Sequence, residues 1–216
     1  MPLTRQYRAA LFDMDGVLLD TMTAHVDAWA QAGAQLGLEI DPHEVYLREG
    51  EKGEVSARDF IKAAGLMLTK ARVRTLLETK ERLFAVHARA PRLFPHAVEV
   101  LHACRERGMK LALVTGTSRG ELEQILPHEM SLFFAASVCG DEVLRGKPNP
   151  EPYLAAAMKL GEKPSDCVVV ENAPFGIRSA KTAGCYVIAI RSYLADADLI
   201  GADLLLDDLG ALLPLL

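Results

Sequence analysis

The sequence predicts an α/β fold, in which a doubly wound, mostly parallel sheet forms a Rossmann-like core that carries an inserted α-helical cap subdomain. Short apolar runs alternate with amphipathic stretches of helix length, a pattern typical of parallel sheets flanked by helices. Runs such as VVV and VIAI are continuously apolar, as strands buried on both faces are. Between about Leu19 and Arg92 only helical patterns remain, so we expect the cap to follow the first strand.

Six apolar runs are predicted to be the strands of the core. The cap is predicted from the helical stretches DAWAQAGAQLG, ARDFIKAAG and TKARVRTLLETKERLFAVHARA. We expect residues 1–18 and 93–216 to form the core and residues 19–92 the cap, with a ligand cleft between them. The predicted strands are Tyr7–Phe12, Lys110–Val114, Phe134–Val138, Cys167–Val170, Tyr186–Ile190 and Leu204–Leu206.

The composition narrows the class of protein. The 216 residues are 50% hydrophobic and 25% charged, with a formal net charge of -5, which argues against nucleic-acid binding. No apolar run approaches the length of a membrane span. Four scattered cysteines, without a CxxC pair, are predicted to be buried and reduced. We therefore expect a cytoplasmic monomer or small homo-oligomer. The cysteines are Cys104, Cys139, Cys167 and Cys185.

The motif Asp13-Met14-Asp15-Gly16 directly follows the first predicted strand. Two acids at the carboxyl end of an apolar strand are costly unless another group neutralises them. In an open α/β sheet this end of the strand faces the crevice where ligands bind. The alternative, a loop with two solvated acids, becomes weaker when the next motifs are considered with it.

Two further strands end in groups that suit an anionic ligand. Thr115, Gly116 and Thr117 follow the second strand and lead into a helix, and a hydroxyl with free backbone N–H groups forms an anion site. Plain helix capping would explain Thr117 or Ser118 equally well. Lys147 lies before a proline in a rigid loop, where its ammonium suits the neutralisation of phosphate and carboxylate charge. An ordinary surface lysine is the alternative.

A late strand ends in Glu171 and Asn172. Oxygen-bearing side chains that converge from separate strand ends suit a hard cation such as Mg²⁺. The alternative for Asn172 is a turn residue or a cap of the helix that begins at Pro174. The order and common placement of these motifs, rather than any single one, predict a functional site.

At these residues the sequence resembles the haloacid dehalogenase superfamily, in the branch with a helical cap after the first motif. The resemblance covers essentially the whole chain. It implies that Asp13 is the nucleophile, that Asp15 is the general acid/base, and that Thr115 and Lys147 bind and balance phosphate charge. It also implies a Mg²⁺ cofactor held by Asp13, the Asp15 carbonyl, Glu171 and Asn172. Asn172 departs from the Glu-Asp pair of close family members.

The resemblance also bears on the substrate. Asp15 excludes the dehalogenase and phosphonate-cleaving branches, which lack an acid there, so phosphoryl chemistry remains. The stretch with Asp20, Thr21, His25 and Trp29 resembles β-phosphoglucomutases and sugar-phosphate phosphatases. For His25, simple packing at the cap hinge is the alternative.

We expect substrate contacts from the loop after the second strand and from the cap. Solvated helix charges are the alternative for the basic cap residues, and the arginine of the mutase cap is not convincingly matched by Arg48. The expected substrate-binding residues are Gly116, Thr117, His25, Arg48, Lys52 and Lys80.

These features predict a Mg²⁺-dependent phosphatase that hydrolyses a small phosphorylated metabolite through an aspartyl phosphate. Asp15 is expected to have a higher pKa than Asp13, because it must supply a proton and because metal on Asp13 would separate the two values. The alternative enzyme is a β-phosphoglucomutase-type isomerase, favoured by His25 and Lys80. A phospho-accepting receiver module is disfavoured by Asp15 and by the helical insertion. A dinucleotide-binding fold is disfavoured because no GxGxxG follows the first strand.

Overall fold

The computed structural model describes residues 6–89 and 91–216. Residues 1–5 and Ala90, which the predicted core and cap ranges include, lie outside the described residues. The described part contains one six-stranded sheet and one two-stranded sheet. The strands are β1 (Ala9–Phe12), β2 (Leu19–Asp20), β3 (Arg92–Leu93), β4 (Lys110–Val114), β5 (Ala136–Val138), β6 (Cys167–Glu171), β7 (Tyr186–Ile190) and β8 (Leu204–Leu206).

The large sheet has the strand order β5-β4-β1-β6-β7-β8, and every neighbouring pair is parallel. Strand β1 is central, with Phe12 paired to Leu113 of β4 and to Val170 of β6. Because the strands are parallel and in this register, their carboxyl ends lie along one edge of the sheet. The residues after β1, β4 and β6 therefore meet there, as the sequence predicted.

Side chains of each strand alternate between two hydrophobic clusters, one on each face of the sheet. Phe12 and Leu113 point into one cluster, which helices near the middle and end of the chain cover. Leu11 and Val114 point into the other, which includes the fully buried Tyr153. Both faces are thus packed with helices, which explains the continuously apolar strands and confirms the predicted doubly wound α/β class.

Nine α-helices surround or extend the sheet in the described part of the chain. Helix α9 begins with a proline in its first turn, where the missing N–H costs nothing, and ends at Gly184 in the left-handed region with φ 91°. The helices are α1 (Met22–Gln35), α2 (Pro42–Leu47), α3 (Gly53–Ala63), α4 (Lys70–His87), α5 (Ala97–Glu106), α6 (Arg119–Ile125), α7 (His128–Ser131), α8 (Glu151–Leu160) and α9 (Pro174–Ala183).

Helices α1 to α4 occupy the predicted insertion and share a hydrophobic cluster of their own. Trp29 of α1 packs edge-on against Phe60 of α3, with ring centroids 5.2 Å apart. Strands β2 and β3 pair antiparallel where the chain enters and leaves this helical segment, with Leu19 opposite Leu93. The division into a core and a cap at residues 19 and 92 stays a prediction, and we use the word cap for this helical segment.

Most predicted strands match the structure closely. The ranges of β4, β7 and β8 are as predicted, and β6 extends one residue further, to Glu171. The first strand begins at Ala9 rather than Tyr7, and β5 begins at Ala136 rather than Phe134. None of the helices in the described residues is both long and apolar enough to span a membrane.

Candidate functional site

The first motif forms a buried turn at the carboxyl end of β1. Asp13 is fully buried and Asp15 is 2% exposed. Gly16 has φ 88°, and a Cβ there would collide with the side chain of Asn172. Glycine is therefore required both for the backbone conformation and for the close approach of Asn172. The loop after β1 and the loop after β6 meet at this point.

Lys147 joins the nucleophile candidate to the last motif. Its Nζ lies 2.5 Å from Asp13 Oδ1 and 2.7 Å from Glu171 Oε1, and its side chain is 1% exposed. The alternative of a surface lysine is wrong, because the loop turns its side chain beneath the sheet edge. Tyr153 adds a hydroxyl that donates to Glu171 Oε1 at 2.6 Å. Glu171 Oε2 accepts from the backbone N–H of Asn172 at 2.9 Å.

The pKa values of Asp13 and Lys147 depend on burial and on the excess of carboxylates over ammonium groups around them. Burial raises the pKa of Asp13 well above its ordinary value; Lys147 opposes that shift, while Glu171 adds to it. Burial lowers the pKa of Lys147, but attraction to Asp13 and Glu171 outweighs it, so the net shift is upward. One ammonium therefore serves more than one buried carboxylate.

Asp15 has a different environment, rich in hydrogen-bond donors. Thr21 donates to its Oδ1 at 2.5 Å, and His25 Nε2 lies 3.4 Å from the same oxygen. Thr115 and Thr117 donate to Oδ2 at 3.1 and 3.2 Å. Burial raises the pKa of Asp15, but the hydrogen bonds and the attraction of His25 outweigh it and hold the pKa at about 2.

The predicted order of the two pKa values assumes a metal on Asp13, and without the charge of that metal the order is the opposite. The pKa of Asp13 is raised, because burial among carboxylates disfavours its charge, and that of Asp15 is lowered, because its hydrogen bonds favour the charge. Sequence reasoning placed the acids correctly but did not include Thr21 and Thr117 as donors to Asp15. The hydrogen bonds to Asp15 therefore favour its carboxylate form.

In the loop after β4, where the sequence predicts an anion site, the threonine hydroxyls already have a hydrogen-bond partner. Thr115, predicted to bind phosphate, donates to Asp15 and accepts from the backbone N–H of Thr117 at 3.0 Å. Ser118, rather than Thr117, caps α6, in a capping box with Glu121. The sequence left open whether Thr117 or Ser118 caps this helix, and in the structure the cap is Ser118.

The last motif leaves one unpaired oxygen. Asn172 is 3% exposed, and its Oδ1 has no hydrogen-bond partner among the described residues. The structure does not make it the helix cap, because Ala173 is the N-cap of α9 and no side chain bonds there. Glu171 has no such vacancy, since each of its oxygens accepts hydrogen bonds. Of the two predicted ligands in this loop, Asn172 has the freer oxygen.

A third acid, Glu49, joins the group from the cap and was not predicted as a site residue. Oxygens of Asp13, Glu49 and Glu171 lie within 4.8 Å of one another. Asp13 Oδ2 and Glu49 Oε2 have no hydrogen-bond partner in the described part of the chain. Burial, reinforced by repulsion from Asp13, raises the pKa of Glu49. Carboxylate oxygens are ligands of hard cations such as Mg²⁺, and the unpaired oxygens of Asp13 and Glu49 fit such an ion.

A cavity of about 360 Å³ lies above this group, between the cap and the loops after β4 and β5. Asp15 lines the cavity, whereas Asp13 is not among its lining residues. The cavity is of the size that small-molecule sites have. It is lined by all the residues predicted to bind substrate, His25, Arg48, Lys52, Lys80, Gly116 and Thr117.

The basic residues around the cavity are not equally available to an anionic ligand. Arg48 pairs with Glu51 and Asp59, each at 3.0 Å, and Lys52 donates to the carbonyl of Val143 at 2.9 Å. Lys80 lies over the ring of Phe84, with its Nζ 4.6 Å from the ring centroid. Burial, with the charge of Lys80, lowers the pKa of His25, which stacks on the same ring.

The family model for haloacid dehalogenase-like hydrolases matches residues 7–184. Hexitol phosphatase A of Escherichia coli is 33% identical over 92% of this chain and 90% of its own length. Fructose-1-phosphate phosphatase YqaB of Escherichia coli is 30% identical over 86% of this chain and 97% of its own.

Comparison with a solved structure gives the same family. A protein from Bacteroides vulgatus, provisionally assigned as a β-phosphoglucomutase, is 31% identical. It superposes with a TM-score of 0.83 and covers 94% of this chain and 84% of its own. The match of the family model and these relatives confirm the resemblance found in the sequence. The chain belongs to the haloacid dehalogenase-like hydrolase family.

Proposed function

We propose that the protein is a Mg²⁺-dependent phosphatase that hydrolyses small phosphomonoesters, sugar or sugar-alcohol phosphates among them, through an aspartyl phosphate on Asp13. The observation that carries the proposal is the state of Asp13: Oδ1 is held by Lys147, while Oδ2 is buried and has no partner among the described residues. A carboxylate with one oxygen fixed and the other free is placed to attack phosphorus. Relatives named as phosphatases support the class of phosphoric monoester hydrolases.

Metal binding is part of the proposal. Asp13, the Asp15 carbonyl and Asn172 would hold Mg²⁺, and the acidic group around Asp13 supports a cation there. The ion supplies positive charge that offsets the repulsion between a carboxylate and a phosphate dianion. Lys147 supplies a second positive charge, and it fixes the orientation of Asp13.

In the first step a carboxylate oxygen of Asp13 bonds to phosphorus as the ester P–O bond breaks. Protonated Asp15 gives its proton to the departing oxygen, so the alcohol leaves neutral. In the second step water attacks phosphorus, Asp15 takes its proton, and the acyl-phosphate P–O bond breaks. Asp13 and inorganic phosphate result. A bound phosphate dianion raises the pKa of Asp15, which brings the carboxyl to the protonated form that the first step needs.

The second candidate is the β-phosphoglucomutase-type isomerase, which returns the phosphoryl group to a sugar hydroxyl. The contact of His25 with Asp15 favours it, as does the similarity to the Bacteroides vulgatus structure. The ion pairs of Arg48 with Glu51 and Asp59 favour hydrolysis. They hold the guanidinium on acids of the cap, so that it is not free to bind a sugar phosphate as the arginine of a mutase cap would.

A panel of phosphomonoesters tests the proposal. It contains hexitol phosphates, fructose 1-phosphate, hexose 6-phosphates and β-glucose 1-phosphate, each assayed with Mg²⁺ and after chelation, with Asp13→Asn as the control for contaminating phosphatases. We expect inorganic phosphate from several members, dependent on Mg²⁺, and no glucose 6-phosphate from β-glucose 1-phosphate. Efficient isomerisation with little free phosphate would select the mutase, and turnover that survives chelation would refute the metal.

A further inference from the structure

Glu49 lies in the turn after α2, in the cap, yet its side chain belongs to the acidic group at the end of β1. Its backbone N–H donates to Tyr46 at 3.3 Å, and the residue is 7% exposed. One of its oxygens lies within 4.8 Å of the carboxylate oxygens of Asp13 and Glu171, and Oε2 has no partner among the described residues. A buried carboxylate oxygen without a partner is costly, and a bound cation would offset that cost.

The segment that carries Glu49 is fixed against the core rather than loosely placed. Gly50 packs so closely on Gly116 that a Cβ on Gly116 would lie 2.6 Å from the Gly50 carbonyl oxygen. A Cβ on Gly50 would meet the side chain of Lys147 at 2.5 Å. Lys52, two residues further on, donates to Val143 of the core at 2.9 Å. Contacts on both sides of Glu49 therefore direct its carboxylate to Asp13.

The charges around Asp13 do not balance. Asp13, Glu49 and Glu171 contribute three carboxylates, whereas Lys147 contributes one ammonium. Lys147 pairs with Asp13 and Glu171, and Glu49 forms no ion pair with any residue that the structure describes. As a carboxylate, Glu49 thus has no counter-ion among the residues that the structure describes, and a bound cation would supply one.

Asn172 explains why the cap would supply such a ligand. Its Oδ1 is neutral, and hard cations bind charged oxygens more firmly than amide oxygens. We infer that Glu49 is a ligand of the bound metal and supplies the negative charge that Asn172 does not. The inference rests on the proposed function, which places Mg²⁺ beside Asp13.

A ligand from the cap couples two events. If the metal binds Glu49 only when residues 48–52 are seated on the core, metal binding stabilises that seating, and seating tightens metal binding by the same factor. Metal affinity therefore depends on contacts between cap and core as well as on Asp13 and Asn172.

Calorimetric titration with MgCl₂ in the absence of substrate tests the inference without using activity. The variants are Glu49→Gln, which keeps the size of the side chain, and Glu39→Gln, a matched control at an exposed position of the cap. We expect the Mg²⁺ dissociation constant of Glu49→Gln to rise at least tenfold, and that of Glu39→Gln to stay within twofold of the parent. Far-ultraviolet circular dichroism checks that both variants fold, and Glu49→Asp replaces Glu49→Gln if the latter does not.

Hydrogen exchange adds a second readout. MgCl₂ is expected to slow amide exchange in residues 48–52 of the parent but not of Glu49→Gln. In the double variant Glu49→Gln/Asn172→Asp, the new carboxylate should recover part of the lost affinity.

The results that would overturn this inference differ from those that would overturn the proposed function. If Glu49→Gln binds Mg²⁺ as tightly as the parent, the inference is overturned, and a loss of turnover with unchanged affinity would place Glu49 on the substrate instead. If the parent itself binds no Mg²⁺ and releases no phosphate, the proposed function fails first.

Discussion

Lys147 and Asp13 form a fully buried ion pair, with Nζ 2.5 Å from Oδ1, although they are far apart in the sequence. The pair connects the loop after β5 to the central strand, and Glu171 extends it to the end of β6. Lys147 therefore holds together three loops at the carboxyl edge of the sheet. It has a structural role as well as the proposed role in balancing phosphate charge.

Replacement of Lys147 by methionine tests this double role. The variant leaves Asp13 and Glu171 buried without their cation, and loss of one partner of a buried pair costs about 3–5 kcal/mol of unfolding free energy. Lys159→Met is the control, because Lys159 pairs with Glu142 at a half-exposed position, where a pair contributes about 0–1 kcal/mol. Urea denaturation without Mg²⁺ measures both. Equal losses would show that the buried pair does not stabilise the fold.

Replacement of Asn172 by aspartate tests the metal site by adding a negative charge to it. If Asn172 Oδ1 binds Mg²⁺, the added charge lowers the Mg²⁺ concentration needed for half-maximal phosphate release. The rate at saturating Mg²⁺ need not rise, because the extra charge also repels phosphate. Titration of activity with Mg²⁺ in parent and variant measures the shift. Coincident half-saturation points would remove Asn172 from the metal site.

Gly16→Ala tests the close approach of the two loops. The methyl group would enter the space of the Asn172 side chain, at a φ of 88° that non-glycine residues rarely adopt. We expect a loss of roughly 1–3 kcal/mol in stability and weaker Mg²⁺ binding. Gly37→Ala is the control, because Gly37 also has a positive φ but an added Cβ there meets nothing within 4 Å. Equal effects of the two changes on Mg²⁺ binding would contradict the account.

The buried cysteines predict how slowly their thiols are alkylated and how the stability of the protein changes with pH. Burial raises the pKa of the Cys104 thiol from 9.0 to about 12, and those of Cys139 and Cys185 likewise. Burial therefore keeps the Cys104 thiol protonated near neutral pH, so iodoacetamide should label this residue slowly in the native protein and rapidly in urea. Because the unfolded thiols ionise first, stability should fall as pH rises above 9. Fast native labelling of Cys104, measured by mass spectrometry, would contradict this.

Local sequence patterns were enough to predict the sheet and part of the site. Lys110–Val114 and Tyr186–Ile190 are apolar runs of strand length, and the structure has them at those bounds. Asp13 and Asp15 follow a strand within three residues, so their position at the sheet edge depends only on local structure. The helix start predicted at Pro174 also depends on a local pattern, and α9 begins there.

Contacts that depend on packing between distant segments could not be predicted. Glu49 meets Asp13 only because α2 and the turn after it pack on the core, and no spacing in the sequence encodes that distance. The feature in the sequence that could have indicated Glu49 is an acid followed by Gly50 in a short charged segment. The sequence drew attention instead to its neighbours Arg48 and Lys52, whose charges are taken up by Glu51, Asp59 and the Val143 carbonyl.

Chemical trapping of the phosphorylated enzyme tests the central claim most directly. The parent and Asp15→Asn are mixed with Mg²⁺ and an activated phosphomonoester such as p-nitrophenyl phosphate, whose leaving group needs no proton from Asp15. The samples are then quenched, reduced with borohydride and digested. Borohydride converts an aspartyl phosphate to homoserine, and the peptide with residue 13 is sequenced by mass spectrometry. We predict homoserine at position 13, dependent on substrate, absent from Asp13→Asn, and more abundant in Asp15→Asn, which lacks the base for the second step. Phosphate release without homoserine at position 13, or with homoserine at another aspartate, would contradict the account.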